Sequence, residues 1–193
     1  MQLLGYDAMA VGNHEFEYGW ESFAEQKSRA PFPVLGANLF YTGTEHPYAQ
    51  PWTILERDGV RVGIIGILGQ DAATALIPSN IAGIEVRDPI ETLRVHVEQI
   101  RPEVDLLIVL IHQGPTAPMQ TDDEADPRVF RGNLENIELA GAVPGIDVIL
   151  AGHTDAGTKS AIVHPDTGTL IMQTWGQGQH LGALELSLDG EGR

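Results

Sequence analysis

Val104–Gly114 reads VDLLIVLIHQG. From Val104 to Ile111 the run is almost unbroken in its apolar character, with none of the alternation that a half-solvated strand shows. That is the pattern of a strand covered by helices on both faces. It ends abruptly in His112-Gln113-Gly114. Ile146–Ala151 (IDVILA) is a second such run and ends in Gly152-His153-Thr154-Asp155. A third, Ala8–Val11, ends in GNHEFEYG over Gly12–Gly19. Three buried-strand candidates therefore each deliver a histidine, beside a glycine, within the first residues after the strand. In layered α/β sheets ligands gather beyond the carboxyl ends of the strands, where loop side chains converge on a rigid base. One shared metal centre explains three such histidines better than three separate solvated turns do.

The segments between these runs alternate. Trp20–Arg29 reads as a helix, and Phe32–Leu39 and Thr53–Leu55 as extended. Val60–Leu68 is a strand entered through the Asp58-Gly59 hairpin signal. Asp88 as N-cap and Pro89 in the first turn open a helix over Ile90–Ile100, with Ile90, Leu93, Val97 and Ile100 on one face. Gln113–Arg131, rich in Pro, Thr and Asp, reads as a long loop, and Asn133–Ala140 as a short helix. Strands are expected near Ala161–Val163, Leu170–Thr174 and Leu181–Leu188, the first two joined by a turn at Asp166-Thr167-Gly168. The expected architecture is a layered α/β domain over residues 1–193, without internal repeat or low-complexity linker.

Composition narrows the chemistry. The chain has 193 residues, 42% hydrophobic and 20% charged, which is globular rather than disordered. Its 27 acidic against 11 basic side chains leave a formal charge of −16, which argues against a nucleic-acid polymer or an anionic membrane surface as partner. A small anionic substrate needs local positive charge, and metal ions are the natural source of it. With no cysteine, any metal must be held by His, Asp, Asn and Glu. That ligand set suits Mn²⁺, Zn²⁺, Co²⁺ or Fe²⁺. Two such ions close together would bind a bridging water, lower its pKa and clamp a phosphoryl group during in-line attack. No stretch approaches the roughly 20 apolar residues of a membrane-spanning helix, and no signal segment opens the chain.

GNHEF, the strand ending in HQG and the strand ending in GHTD, in that order, resemble the calcineurin-like metallophosphoesterases. GYDAMAVGNHEFEYG, FPVLGANLF, DGVRVGIIGIL, NIELAGAVPGIDVILAGHTD and the closing LGALELSL are most similar to the catalytic domain of the bacterial 5'-nucleotidase family. The likeness runs through nearly the whole chain. It implies a metallophosphoesterase-type β-sandwich flanked by helices and two divalent metal ions. It also implies attack of a metal-bound hydroxide on the phosphorus of a nucleotide or related phosphoester, and a periplasmic or extracellular location. Residue by residue, it makes Asn13, His112 and His153 ligands of one ion and Asp155 a ligand of the other. His14 becomes the group that assists the leaving alkoxide, oriented by Glu17.

The chain departs from the family pattern in several places. Glu17 stands where the family has Asp, and Asp155 where it has His or Gln. The family's opening Asp-x-His and Gly-Asp motifs, and its C-terminal substrate domain, have no counterpart here. The chain is accordingly expected to be an N-terminally truncated piece of a longer protein, and a noncatalytic ligand- or partner-binding descendant is the alternative to a hydrolase. Gly63–Gly69 (GIIGILG) lacks the dinucleotide-loop spacing and reads as a strand with close backbone packing. His96 reads as a solvated or capping residue, and His46 and His164, beside prolines, as surface residues. His180 reads as surface, with a place at the site rim as the alternative, and Asp122–Asp126 as a solvated loop.

Overall fold

The computed structural model describes residues 2–115 and 127–188. In chain order the elements are β1 (Met9–Ala10), α1 (Trp20–Ser28), β2 (Val34–Leu35), β3 (Leu39–Tyr41), β4 (Trp52–Arg57), β5 (Val60–Leu68), α2 (Gln70–Thr74), β6 (Ile84–Val86), α3 (Pro89–Ile100), β7 (Leu106–Gln113), α4 (Pro127–Ala142), β8 (Val148–His153), β9 (Ile162–Val163) and β10 (Leu170–Gln173). One six-stranded sheet, ordered β4-β5-β7-β8-β10-β9, carries two-stranded pairs β1–β2 and β3–β6 beside it. Its four central strands are parallel, and β4 and β9 are antiparallel edges. The fold is the expected layered α/β type.

Local chemistry accounts for most of this. Asp58 and Gly59 both sit at positive φ, 53° and 84°, the two-residue turn whose twist matches a hairpin, and they close β4 onto β5. Asp88 Oδ1 accepts the amide of Glu91 at 2.8 Å, so α3 starts at Pro89 as its cap dictates. Leu93, Val97 and Ile100 of α3 then pack with Leu139 and Ala140 of α4 against Ile65, Ile67, Leu107, Val109, Ile111, Ile149 and Ile171 of the sheet. Burying each Leu or Ile contributes about 1.5–3 kcal/mol, so this face dominates the stability.

Among the described residues, strand β2 and extended chain rather than helices lie over the opposite face of β7 and its neighbours, which corrects the reading of VDLLIVLI. Along β7, Leu107, Val109, Ile111 and Gln113 are buried, whereas Leu106, Ile108, Leu110 and His112 are half-buried. Over that second face β2 runs against Gly66 of β5: a Cβ at Gly66 would lie 2.4 Å from Leu35 Cβ. Leu181–Leu188 also lies along it, beside Ile108, Leu150 and Met172, but forms no strand with the described residues, contrary to expectation. A second core of Val11, Phe16, Phe23, Tyr48 and Leu68 roots this layer. Buried Asn38 ties it to the sheet: its Nδ2 donates to Leu68 O at 2.7 Å and Arg87 O at 2.9 Å, and its Oδ1 accepts from Leu68 N at 3.1 Å.

Two further expectations change. α4 begins at Pro127, so helix occupies the C-terminal end of the expected Gln113–Arg131 loop; proline fits a helix's first turn as readily as it breaks an interior. The acidic run Asp122–Asp126 lies outside the described residues. His164 is not a surface residue: it is 8% exposed, and its Nδ1 accepts the amides of Asp166 at 3.3 Å and Thr167 at 3.2 Å, bracing the turn between β9 and β10. His46 and His180 are exposed, His180 with its ring 4.7 Å from that of Trp175.

Candidate metal centre

Asn13 follows β1 at the head of a 3-10 turn over His14–Phe16. Phe16 is fully buried against Phe23, with ring centroids 5.7 Å apart, and this anchor fixes a loop whose other side chains are polar. The Gly12 amide donates to Glu15 Oε2 at 2.7 Å and closes the turn. Asn13 itself is 7% exposed.

His112 lies in the last two residues of β7, opposite Leu68 of β5 and Gly152 of β8. Its ring sits between two glycines: a Cβ on Gly12 would stand 3.0 Å from Nδ1 and Cε1, and one on Gly152 3.4 Å from Nδ1. A side chain at Gly12 would crowd the imidazole, whereas one at Gly152 would begin at ordinary contact with it. His112 Nε2 lies 2.7 Å from Asn13 Oδ1 and 3.2 Å from His153 Nδ1. The two rings are 4.9 Å apart between centroids, at 63°.

His153 ends β8 in a backbone conformation that non-glycine residues seldom adopt, with φ at 93°, and Asp155 follows at 56°. Such residues cost of order 1–3 kcal/mol each and persist where surrounding structure over-determines them. The over-determination is visible. Between them, buried Thr154 donates from its amide at 3.2 Å and from Oγ1 at 3.1 Å to Gln173 Oε1. Gln173 Nε2 donates to Asn133 Oδ1 at 3.2 Å, and Asn133 Nδ2 to Ala156 O at 3.1 Å. Thr154, Asn133 and Gln173 thus hold the GHTD turn, a role that the sequence reading missed. The available signal was Gln173, a polar residue closing the apolar strand Leu170–Met172.

His14 and Glu17 form an exposed pair with Nδ1 2.5 Å from Oε1, so the carboxylate orients the ring and leaves Nε2 as its other polar edge. The Asp155 carboxylate rests against Gly176, where a Cβ would meet it at 2.3 Å. The structure therefore gathers Asn13, His112 and His153 in one tight cluster, with the His14–Glu17 pair on the Asn13 loop and Asp155 two residues beyond His153. Among the described residues, no three His, Asp or Glu side chains are spaced to hold a metal. The cluster has two imidazoles and an amide oxygen.

Known proteins give this arrangement its context. UshA of Yersinia enterocolitica is 30% identical over 204 residues, covering 96% of this chain and 36% of that protein. A 5'-nucleotidase of Vibrio cholerae is 33% identical over 165 residues, covering 84% of this chain and 26% of that one. Among solved structures, the calcineurin-like phosphoesterase YfkN of Bacillus subtilis superposes with a TM-score of 0.68 at 25% identity, covering 91% of this chain and 56% of that one. The chain belongs to the 5'-nucleotidase family of calcineurin-like metallophosphoesterases. No protein-family model matches it. As a member of this family it spans about a third of the first curated relative and about a quarter of the second.

Within this metallophosphoesterase, electrostatics keeps the two clustered imidazoles neutral. Burial, reinforced by repulsion from His153 and His14, brings His112 down to about 4. His153 is lowered by burial and then by His14, against an opposing pull from Asp155 and Asp71. Neutral rings offer lone pairs, the state in which imidazole binds a cation. Asp71 also hydrogen bonds Glu135, whose pKa burial and the Asp71 charge raise. Among the described residues, Arg57 pairs with Asp7, Arg61 with Glu103, Arg87 with Glu45 and Glu85, and Arg101 with Asp147, so the charge of these four is already engaged.

Proposed function

We propose that the chain is a catalytic domain of a metal-dependent phosphoester hydrolase of the 5'-nucleotidase type, acting on a nucleotide or a related small phosphoester. The observation that carries this reading is the convergence of Asn13 Oδ1, His112 Nε2 and His153 Nδ1. Two nitrogens bound to one ion at roughly 2.0–2.1 Å in tetrahedral geometry lie about 3.3 Å apart, and these lie 3.2 Å apart. The two imidazoles are therefore spaced to share one divalent ion, Mn, Zn, Co or Fe; Asn13 Oδ1, 2.7 Å from His112 Nε2, would complete the set after a small outward shift, and Asp155 would serve a second ion. When bound, such ions supply a water of lowered pKa and neutralise phosphoryl oxygens.

The chain's own groups do the rest. Asn13, His112 and His153 offer neutral donors held in place by Gly12, Gly152 and the Thr154–Gln173 network, so little reorganisation accompanies binding. His14, fixed through Nδ1 by Glu17, presents Nε2 as the proton donor to the departing alkoxide. The family resemblance further supports a periplasmic or extracellular setting. No helix among the described residues is long and apolar enough to cross a membrane.

The test is turnover of nucleoside 5'-monophosphates by the native protein with saturating Mn²⁺. His14→Ala is expected to lower kcat about 10²-fold, the scale of a positioned acid, with metal content retained. Loss of the metal in His14→Ala would make His14 a ligand instead. A protein that binds Mn²⁺ yet hydrolyses no phosphoester would be the noncatalytic binder.

A further inference from the structure

His14–Phe16 forms a single 3-10 turn, in which successive side chains point about 120° apart and residues three apart eclipse one another. Its three side chains accordingly take three directions. Phe16 goes inward, its ring 5.7 Å from that of Phe23 and 5.8 Å from that of Tyr48. His14 goes outward, to Glu17. Half-buried Glu15 turns back over Gly12, three residues earlier, and its Oε2 accepts the Gly12 amide at 2.7 Å. The hydrolase reading gives work to His14 and Glu17 and none to Glu15.

Glu15 and His112 meet across Gly12. A Cβ on Gly12 would stand 2.9 Å from Glu15 Oε2 and 3.0 Å from both Nδ1 and Cε1 of His112, so the carboxylate and that edge of the imidazole close on the same glycine. The other ring nitrogen, Nε2, faces Asn13 Oδ1 and His153 Nδ1. Asn13 is unusual for its place. An asparagine ahead of a helix ordinarily takes an extended backbone and bonds its side-chain oxygen to the first helix amides. Asn13 does neither: its φ is −71° and its ψ −37°, and its side chain makes no cap bond. Oδ1 is thereby left for His112, and Glu15 closes the turn instead, reaching back to an amide ahead of the helix as the carboxylate of a capping box does.

We propose that Glu15 is a positioning residue for the Asn13–His112–His153 cluster. Through the Gly12 amide it holds Asn13 in the helical conformation that aims Oδ1 at His112, and it fixes the glycine on which the His112 ring rests. Its consequence for metal affinity rests on the metal-site reading above; its consequence for the geometry of the cluster does not. Without the Glu15 acceptor the buried Gly12 amide loses its partner. The chain ahead of the turn is then free to shift, and Asn13 returns to the ordinary capping conformation, which draws Oδ1 away from His112.

Two measurements on the native protein test this together: side-chain resonances without metal, and Mn²⁺ titration by calorimetry. Glu15→Ala should shift the Asn13 side-chain amide and the His112 ring resonances before any metal is added, and should lower Mn²⁺ affinity about 10- to 100-fold, the scale for residues that support a ligand from behind. Glu15→Gln, whose Oε1 accepts the same amide, should keep the parental resonances and recover most of the affinity. Glu15→Asp, one methylene short of the amide, should show the loss in milder form. Glu25→Ala, which removes an exposed carboxylate of α1, should change neither readout. A Glu15→Ala protein that melts lower but keeps the parental Asn13 and His112 resonances, or binds Mn²⁺ as tightly as the parent, would overturn the proposal, since a purely structural role predicts that pattern. Glu15→Gln as deficient as Glu15→Ala would also overturn it, because the carboxylate would then act by its charge. A parent that binds no Mn²⁺, with the metal-free resonances responding as expected, supports the positioning role and sinks the metal reading.

Discussion

Gly66→Ala should be among the costliest methyl groups that can be added to this protein. A Cβ there would stand 2.4 Å from Leu35 Cβ, 2.5 Å from Leu35 O and 2.6 Å from Leu35 C. Ordinary contact begins near 3.4 Å, so β2 would have to retreat by about 1 Å, and backbone cannot swing aside as a side-chain tip can. That retreat stretches the bond that seats this layer, Ala37 N to Gly66 O at 2.7 Å. Overpacking costs about 1–3 kcal/mol and the weakened hydrogen bond about 1 kcal/mol, giving a loss of about 2–4 kcal/mol. Gly63 is the internal control, on the same strand. A Cβ there would meet side-chain tips rather than backbone, Leu107 and Val104 at 3.1 Å and Ile100 at 3.4 Å, so Gly63→Ala should cost about 1 kcal/mol. Urea unfolding of both variants measures the difference. A Gly66→Ala protein within about 1 kcal/mol of the parent, or a Gly63→Ala protein just as damaged, would refute the placement of β2.

Two other outcomes are expected. His112 titrates at about 4 in the fold and near 6.5 when unfolded, so between those values the unfolded chain holds the extra proton. Stability of the metal-free protein should therefore fall as pH drops through that window, by about 3 kcal/mol at full extent. Unfolding at pH 7 and pH 4.5 should show that slope reduced in His112→Gln, and an unchanged slope would contradict it. Gly12→Ala should leave the fold nearly intact but crowd the His112 ring, 3.0 Å from the new methyl. Displaced ligands lower Mn²⁺ affinity by about 10- to 100-fold, and calorimetry showing parental affinity would mean that the ring is not confined as described.

Much of this architecture was legible because local and global signals agree. VDLLIVLI and IDVILA are apolar without alternation, so they had to be inner strands, and the histidines after them had to share one end of the sheet. Asn13 was legible from the same position after Ala8–Val11. What escaped was set by partners distant in sequence. His164 stands beside Pro165 and looks like a surface turn, yet it is buried because its ring packs against Gly141 and accepts two turn amides. Leu181–Leu188 alternates as a strand should, but alternation alone does not supply a partner in register, and among the described residues it forms no strand. The Thr154–Gln173–Asn133 network joins residues 19 and 40 positions apart, beyond any periodicity. The β7 face misread as helix-covered has the same cause: apolar runs report burial, and leave open what does the burying.

The central claim is that Asn13, His112 and His153 hold a divalent ion together. Anomalous diffraction from crystals of the native protein grown with Mn²⁺ tests it directly. The account predicts a peak within about 2.0–2.3 Å of Asn13 Oδ1, His112 Nε2 and His153 Nδ1 at once. A fully occupied ion elsewhere, or no ion at saturating Mn²⁺ while the two rings keep their 3.2 Å approach, would contradict it.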